Sequence, residues 1–252
     1  MPNELITASS RELATELTAY DEKMLSVFEY LGLPTNNILV KVDERRKVFK
    51  NIEDVLEPLS SETLETSTYI SKFLSAVSAG LFDAALNYLW DETVSQLRFR
   101  VSQYDIQYFF DLAVTSDKRT KLSTEDDLVK IDDSELIQGA KEIGLISDIG
   151  YRLLDNIKFM RNWASAAHPN QVELTGLQLI DWLETCIKEV ISLPLSNLTI
   201  QIGKLLRNIK TNTLDEAEAE TISNFFCELT SEKANSLCNG FFGIYCRIDT
   251  TS

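Results

Sequence analysis

The stretch 159–170, FMRNWASAAHPN, brings together the residue types that proton transfer beside a phosphate requires. His168 is the only histidine among 252 residues, and Arg161 stands seven positions before it. An imidazole titrates near neutral pH and gives or takes a proton, while a guanidinium offers a planar fork of donors to phosphate oxygens. On an α-helix, seven residues fall about 20° short of two full turns and rise about 10 Å, so the two side chains share a face. Pro169 disfavours helical backbone at His168, which puts the histidine in the last turn, where its ring leans out of the ladder. Arg152, Lys158 and Arg161 face Asp155 alone over 149–170, a locally positive stretch in a chain of formal net charge −15. An anion is drawn here before other parts of the surface.

The element that must position these residues is a helix over about 148–168. Leu153, Ile157, Met160, Ala164 and Ala167 recur at spacings of four and three, predicting one apolar stripe with Trp163 beside it and Arg161 next to it. The rest of the chain has the same helical period and no convincing strand, so the class is all-α. Helices are predicted over about 9–31, ending at Gly32–Leu33–Pro34, and over 42–57, carrying Val48, Phe49, Ile52, Val55 and Leu56. Others are predicted over 62–78 and 81–101, parted by Gly80, and over 103–114, 134–146, 175–193 and 197–210. The polar stretch 115–127 reads as an exposed loop ending in a cap at Ser123 or Thr124.

Composition narrows the function classes. With 44% hydrophobic residues the chain can bury a core, and 39 acidic against 24 basic residues argue against broad attraction to nucleic acid or to an anionic membrane. The N-terminus, MPNELITASSRELATEL, lacks the basic start and apolar run of a secretory signal. The uncharged stretch 73–82 is half the roughly 20 residues that a spanning helix needs, so a soluble, cytoplasmic protein is expected. Cysteines at 186, 227, 238 and 246 form no CxxC pair, so reduced, packed thiols are expected rather than zinc; a disulfide among the last three stays open. No cofactor is implied. Gly203–Lys204 lacks the earlier glycine of a phosphate loop, and no carboxylate cluster has calcium-loop spacing. Asp91–Glu92, Asp126–Asp127, Asp132–Asp133 and the acids of 215–220 read as helix caps and solvated faces.

The run RNWASAAH, with Asn162 directly after the arginine, resembles the arginine–polar–histidine motif of the HEPN superfamily (higher eukaryotes and prokaryotes nucleotide-binding), and Pro169 after the histidine is similar to several bacterial members. The likeness rests on this motif and on the helical frame from roughly 62 to 193. It implies an HEPN-like helical bundle over 61–193 with additional helices at both ends: an N-terminal extension over 1–60, and a C-terminal segment over 194–252 that need not be a complete domain. It further implies a metal-independent endoribonuclease of a bacterial anti-phage defence or toxin–antitoxin system. Arg161, Asn162 and His168 would be the catalytic set, working in a homodimer formed through the 148–168 helix. RNA is then the substrate and an antitoxin or defence protein a partner, with no DNA and no membrane.

Metal-free RNA cleavage needs a base for the 2′-OH, an acid for the leaving 5′-oxygen and cations for the phosphate. One histidine per chain serves both roles poorly, whereas a two-fold dimer brings two. Two alternatives remain: a non-catalytic HEPN-like module that binds a nucleotide or partner protein, and an acidic protein that masks a basic partner. In the purely structural alternative Arg161 pairs with a carboxylate of another helix, and His168 merely ends this one.

Arg152 and Lys158 are candidate RNA-phosphate contacts, although each lies three residues from Asp155, where ion pairing is the simpler expectation. Arg98, Arg100, Lys118, Arg119 and Lys121 are further phosphate candidates. Tyr104, Tyr108, Phe109 and Phe110 offer rings for base stacking, but at helical spacing they fit a core better.

Overall fold

Small polar residues open several of the described helices, and glycines close several of them. The computed structural model describes residues 10–104, 106–164 and 173–192, together with Ser231, Ala234, Cys238 and Phe242. Its elements are α1 (Ser10–Tyr30), α2 (Val42–Leu56), α3 (Ser61–Thr66), α4 (Thr68–Ser78), α5 (Phe82–Ser102), α6 (Ile106–Ala113) and α7 (Ser116–Arg119). A 3-10 turn (Glu125–Lys130) follows, then α8 (Asp133–Glu142), α9 (Asp148–Ala164) and α10 (Gly176–Cys186), which continues as a π-helical turn over Ile187–Ile191. The all-α class holds, with no strand among the described residues. No described helix is long and apolar enough to cross a membrane. The predicted segment 197–210, the acids of 215–220, and Cys227 and Cys246 lie outside the described residues.

The chain divides into two compact units, Met1–Val94 with Asn156–Ser192, and Ser95–Asp155 with Leu193–Ser252. In the first, α2 packs against α1, α4 and α10. The described part of 1–60 therefore shares a core with later helices rather than standing as an extension. Val48, Ile52 and Val55 are the buried line of α2, and Arg45 extends that line by three residues with its side chain fully buried. Its Nε donates to the Val40 carbonyl (2.8 Å) and its Nη1 to Asp21 Oδ1 (2.9 Å) and the Ser78 carbonyl (3.0 Å). Gly80, at φ +74°, lets α4 end directly over this guanidinium, where a Cβ would lie 2.9 Å from Arg45 Cζ.

The expected single helix over 62–78 is two. Ser67 leaves helical geometry, accepts from the Ile70 amide (3.2 Å) and donates to the buried Glu92 carboxylate (2.7 Å). This bond to a distant helix is the reason for the break. At α10, Thr175 caps the first turn, and the Gly176 amide donates to Glu44 Oε2 (2.9 Å). Lys47, then the Gly176 amide, hold the Glu44 carboxyl below its ordinary range. Cys186 is fully buried in α10, and desolvation pushes its thiol up to about 12, so it packs as an apolar group, as expected.

In the second unit α6 packs on α8. Tyr104, Tyr108, Phe109 and Phe110 are all buried, so these rings are core and not a stacking platform. The stretch 115–127 is no plain exposed loop. It contains α7, whose Arg119 pairs with Asp111 (2.6 Å) and donates to the Gln107 side chain (2.7 Å) and the Leu122 carbonyl (2.6 Å), while Lys118 pairs with Glu135. Thr124 stands at the N-cap place of the 3-10 turn, and the Ser123 and Thr124 amides donate to the Asp127 carboxylate, at 2.7 and 2.9 Å. Asp132 likewise caps α8 by accepting from the Glu135 amide (2.9 Å).

Gly139 sits where α8 meets α6, and a Cβ there would lie 2.6 Å from both Phe109 Cε2 and Ala113 Cβ. Gly139→Ala gains about 1 kcal/mol of helix propensity but overpacks a dense contact at a cost of about 1–3 kcal/mol. We expect a net loss of stability in chemical denaturation; an unchanged or raised midpoint would refute the close packing of α6 on α8.

Candidate functional site

Ser147 starts α9 by accepting from the Gly150 amide (2.9 Å). Leu154 and Ile157 are buried, whereas Leu153, expected in the apolar stripe, is 41% exposed. The buried line is thus turned slightly from the predicted one, and the next step of four from Ile157 is Arg161. Arg161 therefore continues the inward line of α9 rather than standing beside it. Ile149, Leu153 and Phe159 lie exposed, with the Phe159 ring stacked on Trp163 at 5.7 Å.

Within the first unit, Arg161 Nε donates to Asn87 Oδ1 of α5 (2.8 Å), and its Nη1 donates to Asn162 Oδ1 (3.1 Å). Asn87 is itself fixed, since its Nδ2 donates to the Asp83 carbonyl one turn earlier (2.9 Å). With the amide hydrogens so committed, its oxygen is the atom presented to Arg161. The Nη2 group of Arg161 has no partner among the described residues, and no carboxylate there pairs with it. Among the described residues, the structural alternative, an ion pair to another helix, is not what holds this side chain. Asn162 is exposed beside it. His168, Ala167 and Pro169 lie outside the described residues.

The other candidates separate by geometry. Lys158 is three residues before Arg161, about 60° away around the helix. Arg152 is nine residues before it, which puts the two on opposite sides of α9. Arg152 is exposed, and its guanidinium lies over the Tyr151 ring at 5.5 Å. That ring also receives Lys141 Nζ at 5.5 Å, and Lys141 pairs with Asp148 (3.0 Å), which raises the lysine's pKa. With Ile149 and Leu153 these residues line an open hollow of about 420 Å³ in the second unit. Arg100 is buried, and desolvation lowers its pKa, which suits packing rather than an exposed phosphate contact. Lys118 and Arg119 are spent on the ion pairs of α7. No group of three metal-ligating side chains occurs among the described residues.

Asn87 is the member of this cluster that reading the sequence missed. A lone amide inside ALNYLW looks like any half-exposed helix position, and nothing in one sequence links residue 87 to residue 161. Comparison of the chain with protein-family models, with curated proteins and with solved structures gave no match.

Proposed function

We propose that the chain is a metal-independent endoribonuclease of HEPN type, acting in the cytoplasm within a bacterial anti-phage defence or toxin–antitoxin system. The observation that carries this reading is the state of Arg161. Among the described residues, two arginines that tie elements together end on a carboxylate: Arg45 on Asp21 and Arg119 on Asp111. Arg161 instead rests on two amide oxygens, which orient the fork without cancelling its charge. An oriented cation with a donor edge to spare suits a phosphate.

The chemistry then runs on His168 and Arg161. A neutral imidazole takes the 2′-OH proton, O2′ bonds to phosphorus, and the P–O5′ bond breaks as a second imidazole, protonated, gives its proton to the leaving oxygen. The products are a 2′,3′-cyclic phosphate and a 5′-hydroxyl. Arg161 holds the charge on the pentavalent phosphate, and Asn162 orients the arginine. With one histidine per chain, base and acid come from two copies in a homodimer. The proposed homodimer forms through the 148–168 helix. Net charge −15 keeps indiscriminate RNA capture low, leaving selection to this local cleft.

The test is cleavage of total RNA by purified full-length protein in excess EDTA, wild type beside His168→Ala, with product ends analysed. Cleavage by the wild type alone, leaving 2′,3′-cyclic phosphates, is the expected result. Equal cutting by both proteins, or a folded wild type that does not cut, removes the catalytic reading; the second outcome favours a non-catalytic binding module.

A further inference from the structure

Asn87 offers Arg161 a neutral acceptor, where Arg45 and Arg119 each meet a carboxylate. We infer that Asn87 is a positioning residue for a phosphate-binding Arg161, and that its being an amide rather than an acid is what leaves the guanidinium charge available to the substrate's phosphodiester. The inference rests on the proposed role of Arg161 in the ribonuclease reading and adds a residue and a physical requirement to it.

The geometry supports both halves. Asn87 is held by its own helix through the 2.9 Å bond to the Asp83 carbonyl, so its oxygen is a fixed post and not a swinging one. The 2.8 Å bond takes the Nε hydrogen, the one donor on the stem side of the guanidinium, and so sets the plane of the fork. Asn162 takes one hydrogen of Nη1 from the side, and Nη2 meets no acceptor among the described residues. A carboxylate at position 87 would make an equally good hydrogen bond while opposing the charge on the cation. Shape and charge thus make opposite demands at this residue. A side chain needed only for packing would gain from Asp, whereas one serving an anion site would lose by it.

The experiment uses the full chain and a fluorescent single-stranded oligoribonucleotide carrying 2′-O-methyl groups, which binds but cannot be cut, at low salt. Asn87→Asp, Asn87→Gln and Arg161→Ala are compared with wild type for oligonucleotide affinity and thermal midpoint, and for cleavage of the unmodified oligonucleotide in EDTA. We expect Asn87→Asp to keep or raise the midpoint while weakening binding about tenfold, nearly as far as Arg161→Ala does. The dependence of log affinity on log salt should flatten by about 0.7, the value for one phosphate contact on a single strand. Asn87→Gln, neutral but longer, should keep the salt dependence and lose turnover through misplacement of the fork.

Wild-type affinity in Asn87→Asp overturns the inference and leaves Arg161 as the anion site without it. Wild-type affinity in Arg161→Ala overturns it as well. If nothing is cleaved yet Asn87→Asp and Arg161→Ala weaken binding together, the ribonuclease reading falls and the role of Asn87 stands.

Discussion

Arg45→Ala lowers the stability of the first unit by about 3–5 kcal/mol in chemical denaturation, the range for removing one partner of a buried ion pair. The side chain is fully buried, and three separate elements depend on it: Asp21 on α1, the Val40 carbonyl before α2, and the Ser78 carbonyl at the end of α4. Truncation leaves two carbonyls unsatisfied and Asp21, whose side chain is 17% exposed, without its cation. Arg45→Lys recovers little, because one ammonium cannot donate in the three directions that Nε, Nη1 and Nη2 reach. Gly80→Ala strikes the same seat from above. It puts a methyl 2.9 Å from Cζ at a backbone φ of +74°, and should cost about 1–3 kcal/mol by itself. Since the glycine's clash is with the arginine, the two changes should combine to less than their sum in a double-mutant cycle. All three tryptophans, Trp90, Trp163 and Trp182, belong to this unit, so their emission follows its unfolding. A midpoint for Arg45→Ala equal to the wild type's would show that the arginine ties nothing together.

Arg45 also shows what was legible in the sequence and what was not. It precedes Val48, Ile52 and Val55 at spacings of three, four and three, so the apolar period did place it inside; only its residue type, in the run DERRK, made it look solvated. Arg161 follows Leu154 and Ile157 in the same way. Periodicity located most helices because burial of one face sets it, and glycine and capping residues marked where several of them stop. What periodicity cannot carry is a bond between distant residues. Ser67–Glu92 splits one expected helix in two, Arg119–Asp111 turns an expected loop into packed structure, and Glu44 reaches across to the start of α10. The candidate site divides along the same line. The run RNWASAAH is local and visible, whereas Asn87, which fixes the arginine, is 74 residues away.

The second large effect falls on that arginine. In the oligoribonucleotide assay in EDTA, Arg161→Ala should lose about 10²- to 10³-fold in turnover, the scale found when one donor to a developing oxyanion is removed. The fall should appear more in kcat than in KM, because charge on the phosphate oxygens builds as O2′ attacks, and the guanidinium grips that state harder than the bound substrate. Arg161→Lys keeps the charge but loses the planar fork and the Nε bond to Asn87, so it should lie between the two, nearer to alanine in kcat and nearer to wild type in binding. Stability should barely register either change: the side chain is half-buried and its partners are amides that water can serve. A structural arginine would give the reverse pattern, with stability lost and catalysis following only through unfolding, as expected of Arg45. A folded Arg161→Ala that cleaves at the wild-type rate would therefore remove the arginine from the chemistry, and with it the observation on which the proposed function rests.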